Sequence, residues 1–220
     1  MTDTPPGLRE RKRQRTYQAI SDAAITLFLE RGFTAVSVSE IAEAAEVSKP
    51  TLFRYFPAKE DMALYRLADH EDEAARVVAA RGRDVTPLTA LEEHFLAGLA
   101  ARDPVTGLSD APEVLAFHRL LYGTPSLVAR LQSYTARSEE ALAAELATVP
   151  PSDTGHATAG HRELTARLAA GQIVATQRVL ATQNWSRISQ GASADSLYEP
   201  ARDAATHAFG LLRTGLRPYA

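Results

Sequence analysis

The chain of 220 residues contains no cysteine. Disulfides and thiolate metal sites are thereby excluded, and a reducing cytoplasm is the natural setting. No run of about 18 uncharged apolar residues occurs, so neither a transmembrane helix nor a membrane partner is expected. The opening segment MTDTPPGLRERKRQR lacks the apolar stretch of a secretory signal. Also missing are the apolar/polar alternation of strands, a glycine-rich phosphate loop and any internal repeat. Nothing points to an enzyme: there is no catalytic carboxylate pair and no Ser/His/Asp spacing, and Leu91-Glu-Glu-His94 is not a zinc-binding HExxH. His156 and His161 stand five residues apart with no third ligand, so neither a metal nor a cofactor is expected.

Apolar material is plentiful, at 45% hydrophobic against 23% charged residues, enough for a sizeable core. The net charge of −3 is unevenly spread. Residues 8–15 (LRERKRQR) hold five basic residues and one acidic, whereas residues 61–220 hold 15 Lys/Arg against 19 Asp/Glu. A basic run on an otherwise acidic chain suits a local polyanion contact, and it equally suits a solvated tail. Arginine outnumbers lysine 21 to 3, as in the products of GC-rich genomes.

Pro5, Pro6 and Gly7 mark 1–8 as a disordered tail. Ile20, Ala23, Ala24, Leu27 and Phe28 recur at helical spacing within 9–31, and Gly32 is a suitable stop. A short helix over 38–45 has Ser37 as N-cap and Glu40 three residues later, a capping box. Ser48 caps the next, 48–55, with Pro50 in its first turn, where a missing N–H costs nothing. The spacing then predicts a long helix over 59–81 and further helices over 87–102, 111–122, 125–148, 160–190 and 194–215. The chain thus reads as all-α. A helix-turn-helix over 9–58 precedes a larger all-helical domain over 59–220.

In a helix-turn-helix the second helix enters the DNA major groove, which admits one helix. Ile41, Ala45, Val47, Leu52 and Phe56 have the spacing to hold that helix inward. Lys49, Pro50, Thr51, Phe53, Arg54 and Tyr55 then face out. Lysine reaches a guanine edge or a phosphate, and a threonine methyl, proline or phenylalanine ring meets a thymine methyl. Tyr55 and Ser37 suit phosphate oxygens, as does Lys59 at the start of the following helix. Arg54 either points along the groove or pairs with Glu43 or Glu60. With the cap Ser48, the candidate DNA-binding set is Ser37, Ser48, Lys49, Pro50, Thr51, Phe53, Arg54, Tyr55 and Lys59.

The stretch GFTAVSVSEIAEAAEVSKPTLFRYFPAKEDM resembles the DNA-binding signature of TetR/AcrR-type transcriptional regulators. The resemblance runs from Tyr17 to Met62 through Gly32-Phe33, Val38, Ile41-Ala42, Ala45, Val47-Ser48, Leu52, Tyr55-Phe56 and Lys59-Glu60. It implies a homodimeric repressor on a palindromic operator, released by a small effector bound in an all-α C-terminal domain. It also implies that Ser37, Lys49, Pro50, Thr51, Phe53, Tyr55 and Lys59 touch DNA. One position departs: Glu46 stands where the family's turn usually has glycine. A positive φ there costs a glutamate on the order of 1 kcal/mol.

The resemblance also places a four-helix dimer interface in the last two helices. Leu164, Leu168, Ile173, Val174, Leu180, Leu197, Ala204, Phe209 and Leu212 supply apolar faces there, part of them for internal packing. Candidate effector contacts are the aromatic and polar-tipped residues Phe95, Phe117, His118, Tyr122, Tyr134, Gln177 and Trp185. Phe95 and Phe117 suit the core better than a ligand wall, and Trp185 suits a dimer anchor or a core cap. Residues 124–147 and 202–216 are similar to the MftR-like, actinobacterial branch of the family, some of whose members respond to acyl-coenzyme A thioesters. That likeness suggests an acyl-CoA or other hydrophobic effector. Open alternatives are a DNA-binding protein without an effector, and an activator.

Overall fold

The computed structural model describes residues 7–149, 159–216 and Tyr219. Most of the predicted tail 1–8, and His156, lie outside these residues. In chain order the helices are α1 (Leu8–Arg31), α2 (Val38–Ala44), α3 (Lys49–Tyr55), α4 (Lys59–Leu64), α5 (Glu73–Ala80), α6 (Pro87–Ala100), α7 (Pro112–Gly123), α8 (Pro125–Thr148), α9 (Ala159–Ser189) and α10 (Ala194–Gly215). Short 3₁₀ turns cover Tyr65–His70 and Pro104–Thr106, and no strand occurs among the described residues. The all-α expectation holds.

The chain divides into two compact units. The first takes the chain up to Ala68 together with Ala116–Gln132, and the second takes the rest. In the first, α1 turns Ile20, Ala24, Ile25 and Phe28 inward at helical spacing. They meet Phe33, Ile41, Leu52, Phe56 and Met62, joined by Phe117 and Leu121 of α7 and Leu127 of α8. Each of these side chains larger than alanine contributes about 1.5–3 kcal/mol through burial. The polar Ser21, buried on α1, donates to the Met62 carbonyl at 2.8 Å and so ties α1 to α4 without leaving a donor unmet.

In the second unit Leu88, Leu91, Phe95 and Leu99 of α6 pack with Ala169, Ala170 and Ile173 of α9 and Ala201, Ala205 and Phe209 of α10. The alanines let helices approach closely. A sharper approach occurs at Gly107 (φ 72), where a Cβ would lie 2.0 Å from the Ala181 carbonyl oxygen of α9. Beside it the buried Asn184 amide donates to the Thr106 carbonyl at 2.9 Å.

Helices α8 and α10 fill 125–148 and 194–215 as expected, and α6, α7 and α9 differ from expectation by two residues or fewer. The long helix expected over 59–81 is instead α4, a 3₁₀ turn and α5. Two pulls break it. The Tyr65 ring stacks on Tyr17 (5.3 Å) and meets Phe56 edge-on (5.5 Å). The Asp69 carbonyl, which a continuous helix would satisfy internally, accepts from the Arg76 guanidinium. Asp69, Asp72 and Glu73 would also be like-charged neighbours inside one helix, whereas Asp72 and Glu73 now stand at the positive end of α5.

Candidate nucleic-acid interface

Helix α2 begins as its sequence dictates. The Ser37 hydroxyl accepts from the Glu40 N–H at 3.3 Å, and the Glu40 carboxylate accepts from the Ser37 N–H at 2.7 Å. Arg31 closes on the same carboxylate at 2.5 Å. The Ser37 N–H, then the Arg31 guanidinium, hold the Glu40 carboxyl at about 2, below its ordinary 4.5. Helix α2 ends with the Glu46 N–H donating to the Glu43 carbonyl at 3.0 Å and the Val47 N–H to the Ala42 carbonyl at 2.9 Å. This is a Schellman motif with Glu46 at its left-handed position, φ 53. The strain expected of a glutamate in place of glycine is present, about 1 kcal/mol.

The turn delivers the chain to Ser48, whose hydroxyl accepts from the Thr51 N–H at 3.2 Å and shares a hydrogen bond with the Thr51 hydroxyl at 2.8 Å. Pro50 occupies the first turn of α3. Within this two-turn helix Leu52 is fully buried while Phe53, the next residue, is 44% exposed. Lys49, Pro50 and Arg54 are exposed, and Thr51 and Tyr55 half-buried. With its hydroxyl engaged by Ser48, Thr51 has its methyl left to offer outward. Arg54 lies over the Tyr55 ring at 5.7 Å. The structure therefore brings Ser48, Lys49, Pro50, Thr51, Phe53, Arg54 and Tyr55 together on one short element, with exposed Ser37 at the head of α2.

Lys59 is placed differently. Its ammonium donates to the Phe33 carbonyl and lies 4.2 Å from the Phe33 ring centre and 5.1 Å from that of Phe28. Burial lowers its pKa, against the opposing pull of Glu60 and Glu40. The lysine is half-buried and turned inward, so its first role is to brace α4 against the end of α1.

Sequence reasoning missed Tyr17 and Tyr65. Tyr17 meets Tyr55 at 4.8 Å and Phe56 at 5.2 Å, both edge-on, and forms the floor beneath the end of α3. The signal was available for Tyr17, which lies three residues before Ile20 on the buried stripe of α1. Tyr65 carried no such signal, because it lies on a 3₁₀ turn.

The candidate effector residues are divided. Phe117, His118 and Tyr122 lie on α7 in the first unit, where Phe117 and His118 are buried and Tyr122 is 43% exposed. The Tyr122 ring meets His118 edge-on at 5.9 Å, and burial lowers the His118 pKa. Phe95, Tyr134, Gln177 and Trp185 belong to the second unit. Phe95 is core, with its ring 6.3 Å from that of Phe209. Tyr134, Gln177 and Trp185 are half-buried, and burial, reinforced by Glu71 and Glu73, pushes the Tyr134 phenol up.

A capped two-turn helix, leucine inward and cation, proline and aromatic outward, set behind a second short helix across a left-handed turn, defines a helix-turn-helix domain. Residues 20–65 match the family described as bacterial regulatory proteins, tetR family. The chain is similar to the HTH-type transcriptional regulator TcmR of Streptomyces glaucescens, 36% identical over 148 residues, 63% of this chain and 64% of that protein. It is also similar to the transcriptional regulator MftR of Mycobacterium tuberculosis, 53% identical over 49 residues, 22% of this chain and 25% of that one. It spans less than two thirds of the length of either relative. FadR of Bacillus subtilis, a transcriptional regulator solved in complex with stearoyl-CoA, shares the fold at a TM-score of 0.51 and 19% identity, over 86% of this chain and 97% of that one. Residues 20–65 thus carry the DNA-binding domain of the TetR family, and the named relatives are transcriptional regulators. No described helix is long and apolar enough to cross a membrane.

Proposed function

We propose that this chain is a cytoplasmic, homodimeric repressor that holds a palindromic operator through α3 and releases it when a hydrophobic or acyl-type effector binds. The observation that carries the DNA-binding part is the inside-out contrast of adjacent residues in α3. Leu52 has no exposed surface, while Phe53, Lys49, Pro50 and Arg54 stand clear. Lys49, Thr51 and Phe53 are the base-reading candidates, and Ser37 and Tyr55 set register on phosphates. Lys59 acts from behind, by bracing α4. A dimer is supported by apolar side chains left outside the second unit's core: Leu164 (54%), Leu168 (56%) and Val179 (56%) on α9, and Leu211 (62%) on α10. An acyl effector is supported by the fold shared with FadR, whose structure holds stearoyl-CoA. Tyr134, Gln177 and Trp185, half-buried with polar tips, are its candidate contacts in the second unit.

An effector acts only through its different affinity for the DNA-competent and incompetent states, and a full switch requires about 5 kcal/mol of that difference. The test is to select an operator from random duplexes with the purified protein, then titrate it with and without acyl-CoA thioesters of increasing chain length. Weakened operator binding in the presence of a thioester that also raises the melting temperature is the expected outcome. If every stabilising compound leaves operator affinity unmoved, the effector reading fails and a DNA-binding protein without an effector replaces it.

A further inference from the structure

The polyanion contact needs cations, and the helix-turn-helix body has few. From Thr16 to Leu64 the chain carries four Lys/Arg against seven Asp/Glu. Two of those four are committed within the fold: Arg31 to Glu40 at 2.5 Å, and Lys59 to the Phe33 carbonyl and ring. Only Lys49 and Arg54 remain on the α3 face, yet phosphate neutralisation supplies most of the affinity of a protein for duplex DNA. The missing charge lies in the first two turns of α1, where Arg9, Arg11, Lys12, Arg13 and Arg15 are all exposed.

These residues are helical, and one stripe of them is aimed. Arg9 and Arg13 continue, at helical spacing, the line of Tyr17, Ile20 and Ala24 that packs on the rest of the first unit. Tyr17 on that line touches Tyr55, the last residue of α3. A continuous ladder results: Arg54 over Tyr55 at 5.7 Å, Tyr55 against Tyr17 at 4.8 Å, and Arg13 over Tyr17 at 5.6 Å. The rise of about 1.5 Å per residue carries Arg9 about 12 Å further along α1 from Tyr17.

Building on the proposed DNA-binding function, we infer that the basic start of α1 is the principal phosphate-binding element of the reading head. It grips the backbone of duplex flanking the groove that α3 enters, while α3 supplies sequence preference and little of the charge-dependent affinity. The partner chemistry is duplex DNA phosphate, independent of base sequence.

The salt dependence of binding separates the two elements, since removing one phosphate-neutralising cation lowers the slope of log K against log [salt] by about 0.9. The probe is a mixed-sequence duplex of about 30 base pairs, titrated with the full chain from about 50 to 200 mM salt. The variant R9A/R11A/K12A/R15A keeps helix-forming residues and leaves Arg13 on Tyr17. Its slope is expected to fall by about 3.6 per bound reading head, and its affinity at about 100 mM salt to fall 100-fold or more. Lys49→Ala, by comparison, lowers the slope by about 1 or less. The charge-retaining variant R9K/R11K/R15K keeps the wild-type slope, and a wild-type melting temperature of the alanine variant excludes loss of folding as the cause. A quadruple-alanine variant with the wild-type slope overturns the α1 assignment while leaving α3 as the reader. Wild-type protein that binds no duplex at any salt overturns the assignment and the DNA-binding reading together.

Discussion

The two units reach stability by different routes, and the difference decides what each can present to a partner. The first contains α2, α3 and α4, of seven, seven and six residues, too short to persist on propensity alone. Side chains fix their ends: Ser37 with Glu40, Ser48 with Thr51, and Asp61 accepting from the Ala58 N–H at 3.1 Å. Aromatic rings fix their packing, with Tyr17 against Tyr55, Phe56 and Tyr65, and Phe56 against Tyr65. The second unit relies on long helices, 31 residues in α9 and 22 in α10, whose alanines sit against neighbours. A capped short helix can turn nearly its whole outer face to a ligand. A long helix must share its circumference between core and surface, which is why α9 buries Ile173 and leaves Leu164 and Val179 outside.

The largest test of the contrast disturbs the close approach of Gly107 to α9. Gly107→Ala places a Cβ where only 2.0 Å separates it from the Ala181 oxygen, at a φ of 72. The unit should lose about 4 kcal/mol or fail to fold, read by urea unfolding with helix-resolved hydrogen exchange. Protection in α9 and α10 should collapse first, and a variant with wild-type protection there would show that the approach is not structural. In the first unit the corresponding change is Leu52→Ala, a cavity beneath the DNA-facing helix. Its expected cost is about 3 kcal/mol, with α1 to α4 losing protection and operator binding lost with it.

These two sites also show how far sequence reached. The helix-turn-helix was legible because its signals are local: Ser37 and Glu40, or Ser48 and Pro50, lie within four residues of what they control. Glu46 was legible for the same reason, since its turn position alone sets its backbone. The inward turn of Lys59 was hidden, because Phe28 and Phe33 meet it only after folding. So was the break after Leu64, set by Tyr17 and Arg76 from either side in sequence. The candidate effector residues were hardest to place. Periodicity shows that Phe117 and Phe95 are buried, but a helix's own spacing does not name the unit that buries them.

Smaller effects come from two non-glycine residues in the same left-handed conformation, one in each unit. Glu46 has φ 53 and no side-chain partner among the described residues, so Glu46→Gly should stabilise the first unit by about 0.5–1 kcal/mol. Arg102 has φ 56, but its guanidinium donates to the Leu99 carbonyl at 2.9 Å and to Asp195 at 2.8 Å, and lies 4.7 Å over the Tyr198 ring. Relief of strain in Arg102→Gly is offset by removal of these interactions, the exposed Asp195 pair counting for little and the ring contact for about 0.5–1 kcal/mol. Its net change should lie near zero or slightly negative. Thermal unfolding of the pair of variants checks this, and an equal gain from both would mean that the arginine contacts are idle in solution. Glu46→Gly also removes a negative charge beside α3, so duplex affinity should rise modestly.

The smallest effects are opposite in sign. Burial lowers the His118 pKa in the first unit, so His118 favours the fold when neutral; its contribution is full above its unfolded value of about 6.5 and is lost as pH falls. In the second unit the Glu73 carboxylate accepts from His70 at 2.8 Å, which raises the His70 pKa despite burial, and His94 approaches the same carboxylate at 3.2 Å. His70 therefore contributes fully below about 6.5 and loses that contribution as pH rises through its raised folded value. Glu73, lowered first by its hydrogen bond to His70, limits the acid side, because its contribution fades as pH drops below 4.5. Acidification from pH 8 to 6 should weaken protection on α7 and strengthen it on α5. His118→Phe and His70→Gln should each flatten one limb alone. If both units shift in the same direction, or if either variant flattens both limbs, the titrations do not belong to these two histidines and the units differ in packing but not in their response to protons.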